Sequence, residues 1–366
     1  MDKQVIRPEI IHSDYIAMKD DKGNCLTYEE LYQRAQLLKD TLEERSLSFI
    51  LCDFAMETAE LIYEVLSSNR VPLLLSADIN PVFLDKLADK YMPQYIWCKK
   101  EHPYTKKEYI VVKERESHVI LKMTDKRIKI HPDVALLLST SGSTGSAKLV
   151  KLSYENLYNN AEYACKHCEI NATRKAITNL PLNYTFGLCF CLWHWNCGAA
   201  VLFSQHSILS KQYSVFFEQE KVTDFAAVPY TYQMLDKINF WNDSKKKYLN
   251  MVMVGGAKIT NELLEKMVSK LGDKFWIGYG QTECTCIVSG TNFINKHIKY
   301  GTIGKAFENM HISLDQETNE LIIKSKSVCM GYAYEGKQLA DGNVNGFVLQ
   351  TGDVAEIDEE GYIYLK

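Results

Sequence analysis

The sequence predicts an α/β fold of two lobes with layered sheets and helices, followed by a smaller β-rich lobe. Before about residue 290, short apolar runs alternate with amphipathic stretches, a pattern typical of strands alternating with helices. From about Thr291 the pattern changes to short alternating runs separated by turns, which is typical of antiparallel strands. The composition agrees with a globular domain, since 46% of the 366 residues are hydrophobic.

The elements follow from the spacing of the apolar residues. In the first region we predict helices at 28–43, 57–67 and 81–91 and strands at 49–52 and 71–75. In the second we predict helices opening at Ser153, Gly187, Lys211 and Thr260, and strands at 134–138, 175–179, 199–203, 225–228, 251–254 and 275–277. In the third we predict strands at 310–315, 320–324, 346–350 and 362–365.

Charge and composition exclude several classes of function. A formal net charge of −4 is unfavourable for a dedicated nucleic-acid binder, so we expect no nucleic-acid partner. No secretory signal opens the chain, and its eleven cysteines do not form the dense pattern of a small secreted scaffold. We therefore expect a cytoplasmic protein whose cysteines are packed and reduced. The pair Cys165 and Cys168 has no second pair to complete a zinc site.

One apolar run has the length of a membrane segment. It extends from Phe186 to Phe203, but it contains His194, Asn196 and a break at Gly198. The sequence therefore favours a buried helix that continues into a strand, and no membrane span.

The most informative segment follows the predicted strand at 134–138. Its two glycines permit close backbone approach, its hydroxyls can donate hydrogen bonds, and its lysine adds a positive charge, a combination suited to phosphates. A flexible linker of similar composition would not be expected between an apolar strand and a helix. The predicted phosphate-binding residues are Thr140, Ser141, Gly142, Ser143, Thr144, Gly145 and Lys148.

The spacing in this loop excludes a Walker loop, because Gly145 is followed by Ser-Ala-Lys and not directly by Lys. The loop instead resembles the Thr-Ser-Gly-Ser/Thr-Thr-Gly-x-x-Lys signature of the adenylate-forming superfamily, which includes acyl-CoA synthetases, luciferases and adenylation domains of peptide synthetases.

Three further segments support this resemblance in the correct order. The segment 254–257, Val-Gly-Gly-Ala, is similar to the family's adenine-binding loop. The segment 278–283, Gly-Tyr-Gly-Gln-Thr-Glu, matches its Tyr-Gly-x-Thr-Glu motif, and 351–353, Thr-Gly-Asp, matches its ribose-binding motif. Each is weak alone, but their order and separations make coincidence improbable.

The resemblance implies a division into three lobes. These are a first α/β lobe at 1–132, a second at 133–290 with the phosphate, adenine and magnesium motifs, and at 291–366 a small distorted antiparallel β-barrel with the ribose motif. In the family a hinge and a mobile C-terminal domain with a catalytic lysine follow, and we expect this chain to be the large N-terminal domain.

At the triphosphate end, the resemblance implies three roles. Glu283 would hold Mg2+, since this hard cation takes one or two carboxylates and completes its shell with substrate phosphates. Thr282 would donate its hydroxyl to the α-phosphate, and Lys148 would neutralise phosphate charge. Gly278 replaces an asparagine common in the family, which affects positioning and not the reaction.

At the nucleoside end, Tyr279 would stack on adenine with the backbone of the glycine-rich loop on its other side. Asp353 would accept hydrogen bonds from the ribose hydroxyls, a task suited to an ionised carboxylate. The predicted nucleoside-binding residues are Gly256, Ala257, Tyr279, Gly280, Gln281 and Asp353.

The acid site is predicted around the segment 180–188, which resembles the family's Leu-Pro-x-x-His/aromatic segment and places Tyr184 at the aromatic, gating position. Thr185 stands where members that activate amino acids usually have an aspartate, so a substrate ammonium would be buried without a counter-charge. This favours a fatty, aryl or other non-amino carboxylic acid. The residues expected to line its pocket are Phe186, Leu188, Gly280 and Gln281.

The resemblance thus implies an AMP-forming acid:thiol ligase that uses ATP and Mg2+ to make an acyl-adenylate and releases pyrophosphate, with coenzyme A as acceptor. Two alternatives stay open. The acceptor can instead be the phosphopantetheine of a carrier protein, or the chain can be a non-catalytic nucleotide-binding module.

Overall fold

The fold is described by a computed structural model that covers residue 10 and residues 13–139, 148–294 and 297–366. In chain order its strands are β1 (Ile16–Asp20), β2 (Cys25–Thr27), β3 (Leu47–Cys52), β4 (Val71–Ser76), β5 (Tyr95–Lys99), β6 (Ile110–Glu114), β7 (His118–Lys122), β8 (Val134–Ser139), β9 (Leu149–Ser153), β10 (Lys175–Thr178), β11 (Ala200–Phe203), β12 (Asp224–Ala227), β13 (Met251–Val254), β14 (Phe275–Gln281), β15 (Cys286–Asn292), β16 (Lys305–Ala306), β17 (His311–Leu314), β18 (Glu320–Lys324), β19 (Tyr332–Ala333), β20 (Val348–Ile357) and β21 (Ile363–Leu365).

The α-helices alternate with these strands over the first two thirds of the chain. They are α1 (Tyr28–Thr41), α2 (Met56–Ser67), α3 (Pro81–Tyr91), α4 (Tyr154–His167), α5 (Thr185–Asn196), α6 (Lys211–Gln219), α7 (Pro229–Lys237), α8 (Asp243–Lys246) and α9 (Asn261–Leu271). The local sequence explains where several of these helices begin. Thr27 forms a capping box with Glu30 at α1, and Ser153 forms one with Asn156 at α4.

The described strands form two large sheets and one small one. The first large sheet has the order β19-β9-β8-β4-β3-β5-β7-β6, with β8, β4, β3 and β5 parallel at its centre. The second has the order β16-β15-β14-β13-β12-β10-β11-β1-β2 and is parallel from β14 to β1. The small sheet, β17-β18-β20-β21, is antiparallel throughout. The predicted fold class is confirmed.

The division into lobes at 132/133 and 290/291 stays a prediction, and the sheets do not follow it strictly. β1 and β2 join the second sheet, whereas β8 and β9 join the first. The pairing of β19 with β9 brings the segment between β18 and β20 of the small sheet back to the strand that follows the predicted phosphate loop. Residues distant in sequence therefore meet beside β9.

Helix α5 occupies the centre of the molecule. Every residue in it is buried, and it packs against α4 and against β10, β11 and β15. The predicted buried helix leading into a strand is thus confirmed for the apolar run that begins at Phe186. None of the helices that the structure describes is long and apolar enough to cross a bilayer.

The cysteine prediction needs a correction. The structure joins Cys165 and Cys197 in a disulfide, so these two thiols are not reduced in it. The contact between α4 and α5 brings the end of α4 beside the residue that follows α5, with 6.8 Å between the two Cα atoms. Sequence spacing alone does not reveal this approach. Cys168 is a free, buried thiol, as predicted.

His118 forms a buried ionic cluster that holds β7 to the start of α2. Its Nδ1 lies 2.9 Å from Oε2 of Glu57, and its Nε2 lies 3.1 Å from Oδ2 of Asp53. Burial disfavours the charged imidazole, but the hydrogen bonds and charges of the two carboxylates outweigh it and raise the pKa of His118 above its ordinary 6.5. The ring also stacks on Trp97, with 4.9 Å between centroids.

We expect His118→Phe, which keeps the stacking, to lower the free energy of unfolding in a pH-dependent way. Because the folded pKa is raised, the stabilisation by His118 is complete below pH 6.5 and is lost as pH rises through that folded pKa. The loss at pH 6 should be about 1.5 to 2 kcal/mol, the lower part of the range for charged hydrogen bonds, since Lys99 remains 3.5 Å from Asp53. Urea denaturation from pH 6 to pH 9 measures it, and a loss that grows with pH would contradict the assignment.

Candidate functional site

A cavity of about 530 Å3 opens at the carboxyl ends of β13 and β14. This is the edge at which open parallel sheets usually bind ligands. The start of α5, the segment after β13, the end of β14 with its following turn, and β20 contribute its walls. The predicted site residues that line it are Tyr184, Gly256, Ala257, Tyr279, Gly280, Gln281, Thr282, Glu283 and Asp353.

The remaining predicted residues have different outcomes. Thr140, Ser141, Gly142, Ser143, Thr144 and Gly145 lie outside the described residues. Lys148 is described and lies next to Glu283, but it is not part of the cavity wall. Phe186 lines the cavity as expected, whereas Leu188 points into the core and does not.

Asp353 is held in the cavity wall by two side chains of β14. Tyr279 donates its hydroxyl hydrogen to Oδ2 of Asp353, and the side-chain amide of Gln281 donates to the same oxygen at 2.8 Å. Tyr279 and Gln281 are two residues apart in a strand, so both side chains are on one face. The amide of Gln281 also donates to the carbonyl of Thr351 at 3.0 Å, which fixes β20 against β14. Both side chains donate to Oδ2 of Asp353, and neither of these two hydrogen bonds uses Oδ1.

The phenol of Tyr279 is kept protonated in this arrangement. Burial raises its pKa, and so does the hydrogen bond that it donates to Asp353. Tyr279 is therefore a fixed donor, and its ring forms a flat, half-buried wall of the cavity.

Glu283 also lines the cavity, in the turn Thr282–Cys284 that follows β14. The hydroxyl of Tyr332 donates to its Oε1 at 2.8 Å, and Nζ of Lys148 lies 4.0 Å from the same oxygen. The ammonium also lies 3.9 Å from the ring centroid of Tyr332. The backbone N–H of Cys329 donates to the carbonyl of Glu283 at 2.8 Å and fastens the turn. A carboxylate and an ammonium thus stand side by side where β9 and β19 pair.

Sequence reasoning missed Tyr332. Tyr332 lies in a strand of two residues, and its contact with Glu283 spans 49 positions of the chain. No local sequence pattern therefore indicates this contact. The pKa of Tyr332 is raised by burial and by its hydrogen bond to the carboxylate of Glu283, which keeps the phenol a donor.

Thr282 makes a contact that the sequence did not indicate. Its hydroxyl oxygen lies 2.7 Å from the hydroxyl oxygen of Thr185, the first residue of α5. Both residues line the cavity. The start of α5 therefore supports the hydroxyl of Thr282, which is predicted to contact a phosphate.

Tyr184 lies directly over the glycine-rich loop after β13. A side chain at Gly256 would place its Cβ only 2.2 Å from the hydroxyl oxygen of Tyr184, and Gly256 has a φ of +78°. Only glycine combines this conformation with such a close approach. Burial raises the pKa of Tyr184, so a neutral phenol covers the loop.

Gly280 lies opposite a bulge in β15, where the pairing of β14 with β15 shifts register and Val288 is the extra residue. A Cβ at Gly280 would lie 1.5 Å from the carbonyl oxygen of Cys286, which is backbone and cannot rotate away. Gln281 and Thr282, the next two residues, line the cavity.

We expect Gly280→Ala to lower the free energy of unfolding by about 1 to 3 kcal/mol, the usual cost of overpacking, because β14 and β15 must separate. Thermal denaturation measures this. Gly342→Ala is the matched control, since its added Cβ would meet His131 Nε2 at an ordinary 3.4 Å. Equal melting temperatures for the two variants would contradict the tight packing at the bulge.

The described residues of the site do not form a preformed metal cage. No group of three or more His, Cys, Asp or Glu side chains that could hold a metal occurs among the described residues. A single carboxylate such as Glu283 fits Mg2+, which usually takes one or two carboxylates together with substrate phosphates.

Comparison with known proteins decides the family. The sequence model of the family described as AMP-binding enzyme matches residues 62–333, well over half of the chain. The chain belongs to the AMP-binding enzyme family. The matched range contains Lys148, Tyr184, Thr282 and Glu283, and Asp353 lies beyond its end.

Relatives and solved structures agree with this membership. The chain is 26% identical over 249 residues to 4-coumarate–CoA ligase-like 9 of Arabidopsis thaliana, covering 64% of this chain and 44% of the relative. It is 28% identical over 243 residues to 2-succinylbenzoate–CoA ligase of Staphylococcus epidermidis, covering 63% and 48%. The chain thus spans about half the length of these curated relatives.

Two solved structures show the same fold. The ATP-bound MatB from Rhodopseudomonas palustris superposes with a TM-score of 0.80 at 18% identity, covering all of this chain and 78% of MatB. VinN superposes with a TM-score of 0.78 at 19% identity, covering 96% of this chain and 95% of VinN. At such low identity these likenesses describe the AMP-binding fold and not the substrate.

Proposed function

We propose that this chain binds ATP with Mg2+ and activates a non-amino carboxylic acid, fatty or aryl, as an acyl-adenylate. In this reaction a carboxylate oxygen of the acid forms a bond to the α-phosphorus, the bond to the bridging oxygen of the β-phosphate breaks, and pyrophosphate leaves. The observation that carries the proposal is the placement of two carboxylates in one cavity, Asp353 held by Tyr279 and Gln281 of β14 and Glu283 in the turn that follows β14.

The nucleoside is assigned to the end at Asp353. Ribose carries two hydroxyls, and a carboxylate already oriented by Tyr279 and Gln281 is an acceptor for them. The ring of Tyr279 and the backbone at 256–257 provide flat surfaces for adenine. Rigid support from β14 keeps the orientation cost of binding low.

The phosphates are assigned to the end at Glu283. Mg2+ held there would supply positive charge to the triphosphate, and Glu283, Thr282 and Lys148 are the residues that would hold the metal and the phosphates. Tyr332 orients the carboxylate through its hydrogen bond to Oε1. Lys148, 4.0 Å from that oxygen, places a second positive charge at the same end. Charge neutralisation of this kind supplies most of the catalysis in phosphoryl chemistry.

The acid is assigned to the part of the cavity beside Phe186, Cys286 and Ile287. These side chains are apolar, and among the described wall residues the only carboxylates are Glu283 and Asp353. A substrate ammonium would have no counter-charge of its own there, which disfavours an α-amino acid.

The experiment that tests the reaction is exchange of labelled pyrophosphate into ATP in the presence of a panel of fatty, aryl and amino acids. We expect a fatty or aryl acid to stimulate exchange above the rate without acid. Stimulation by amino acids alone would contradict the acid assignment. ATP binding without exchange for any acid, also when this chain is joined to the C-terminal domain that the family resemblance implies, would favour the non-catalytic nucleotide-binding module.

The acceptor is the second part of the proposal. Coenzyme A is favoured because the similar relatives are named CoA ligases. The alternative is the phosphopantetheine of a carrier protein. Incubation of the acyl-adenylate with free coenzyme A or with a pantetheinylated carrier protein separates the two, and thioester formation only on the carrier would overturn the first choice.

A further inference from the structure

The hydroxyl pair formed by Thr185 and Thr282 connects two elements at the centre of the cavity. The two oxygens are 2.7 Å apart, the distance of a good O–H···O hydrogen bond. Thr185 is only 5% exposed, so its hydroxyl is largely withheld from water. Thr282 begins the turn that also carries Glu283.

The direction of this hydrogen bond follows from the number of protons. Each hydroxyl has one hydrogen to donate and can accept others. When Thr282 donates its hydrogen to a phosphate oxygen, it has none left for Thr185, so the hydrogen between the two threonines must come from Thr185. Donation into Thr282 also polarises its hydroxyl and strengthens the bond to the phosphate.

Thr185 is well placed to hold Thr282 because the start of α5 is rigid. A Cβ at Gly187 would lie 2.6 Å from the carbonyl oxygen of Pro181 and 2.8 Å from that of Leu180, so the first turn of α5 packs directly on this backbone. The backbone N–H of Leu188 donates to the carbonyl of Tyr184 and closes that turn. A hydroxyl on a fixed helix end orients its partner more reliably than one on a loop.

We propose that Thr185 is a positioning residue whose hydroxyl aims that of Thr282 at the α-phosphate of the bound nucleotide. This inference rests on the proposed function. The sequence indicated only that Thr185 replaces an aspartate found in members that activate amino acids. The inference adds a role for the hydroxyl of Thr185 itself. Because Thr185 acts through Thr282, its effect should appear only with ligands that carry the α-phosphate.

The experiment compares AMP with adenosine by calorimetry for the parent, Thr185→Val, Thr185→Ser, Thr282→Val and the double variant Thr185→Val/Thr282→Val. Valine keeps the shape of threonine without the hydroxyl, and serine keeps the hydroxyl. We expect Thr185→Val to weaken AMP binding about three- to tenfold, the effect of one neutral hydrogen bond, and to leave adenosine binding unchanged. Thr185→Ser should bind AMP like the parent, and the double variant should bind AMP no more weakly than Thr282→Val.

Three results would overturn this inference and leave the proposed function intact. Thr185→Val could bind AMP as tightly as the parent, or it could lose the same affinity for AMP as for adenosine. In the third case, the losses of AMP affinity in the two single variants would add in the double variant. The last two would indicate a general packing role or an independent one. Failure of the proposed function is distinct, because the parent would then bind neither ligand, or Thr282→Val would bind AMP like the parent, and the inference would fall with it.

Discussion

Replacing Asp353 by alanine is expected to weaken ATP binding by about 2 to 3 kcal/mol, or roughly 30- to 150-fold, the scale of hydrogen bonds to a charged group. The variant removes the proposed acceptor for the ribose hydroxyls. It also leaves Tyr279 and Gln281 without the carboxylate oxygen to which both donate. Calorimetric titration with ATP and Mg2+ measures the change.

Two controls separate the loss of the acceptor from a loss of folding. Asp353→Asn keeps the shape and one oxygen acceptor, so it should lose less affinity than the alanine variant. Asp315→Ala removes a carboxylate whose hydrogen bonds are local, to Glu317 and Thr318, and it should bind ATP like the parent. An affinity of Asp353→Ala within about threefold of the parent would refute the ribose assignment.

Replacing Glu283 by glutamine should lower the rate of acid-dependent pyrophosphate exchange by about 100- to 1000-fold, the effect of removing one preorganised electrostatic contact from an active site. Glutamine retains an oxygen that can accept from Tyr332, so the turn should keep its position while the negative charge for Mg2+ is lost. The ammonium of Lys148 would also lose its neighbouring carboxylate.

The measurement is the rate of pyrophosphate exchange as a function of Mg2+ concentration. In Glu283→Gln the rate should be lower and should rise less steeply with Mg2+. Glu317→Gln, in an exposed turn, is the matched control and should follow the parent. If Glu283→Gln required the same Mg2+ concentration and reached the same rate as the parent, Glu283 would not be the metal-binding carboxylate.

The regular part of the fold could be predicted because its causes are local. Helix α3 has the predicted bounds 81–91, since Asn80 caps it and Pro81 suits its first turn. The buried strand at 251–254 was likewise predicted, because four consecutive apolar residues mark a strand covered on both faces. Strands β1 and β2, at 16–20 and 25–27, were missed. β1 pairs with β11, which lies about 180 positions later, and β2 pairs with β1.

The candidate site was predicted as residue types but not as geometry. The motif at 278–283 indicated Tyr279, Thr282 and Glu283 in advance, because it matches the Tyr-Gly-x-Thr-Glu motif of the family that the sequence resembles. The partners that orient them depend on contacts between distant segments. Tyr332 reaches Glu283 only because β19 pairs with β9, and Thr185 reaches Thr282 only because α5 lies under the end of β14.

The measurement that tests the central claim most directly is calorimetric titration of this chain with ATP and Mg2+, beside Asp353→Ala and Glu283→Ala. The proposed function predicts that the parent binds, that Asp353→Ala binds far more weakly, and that Glu283→Ala loses the part of the affinity that depends on Mg2+. If the parent bound ATP and both variants bound it equally well, the cavity at the ends of β13 and β14 would not be the nucleotide site.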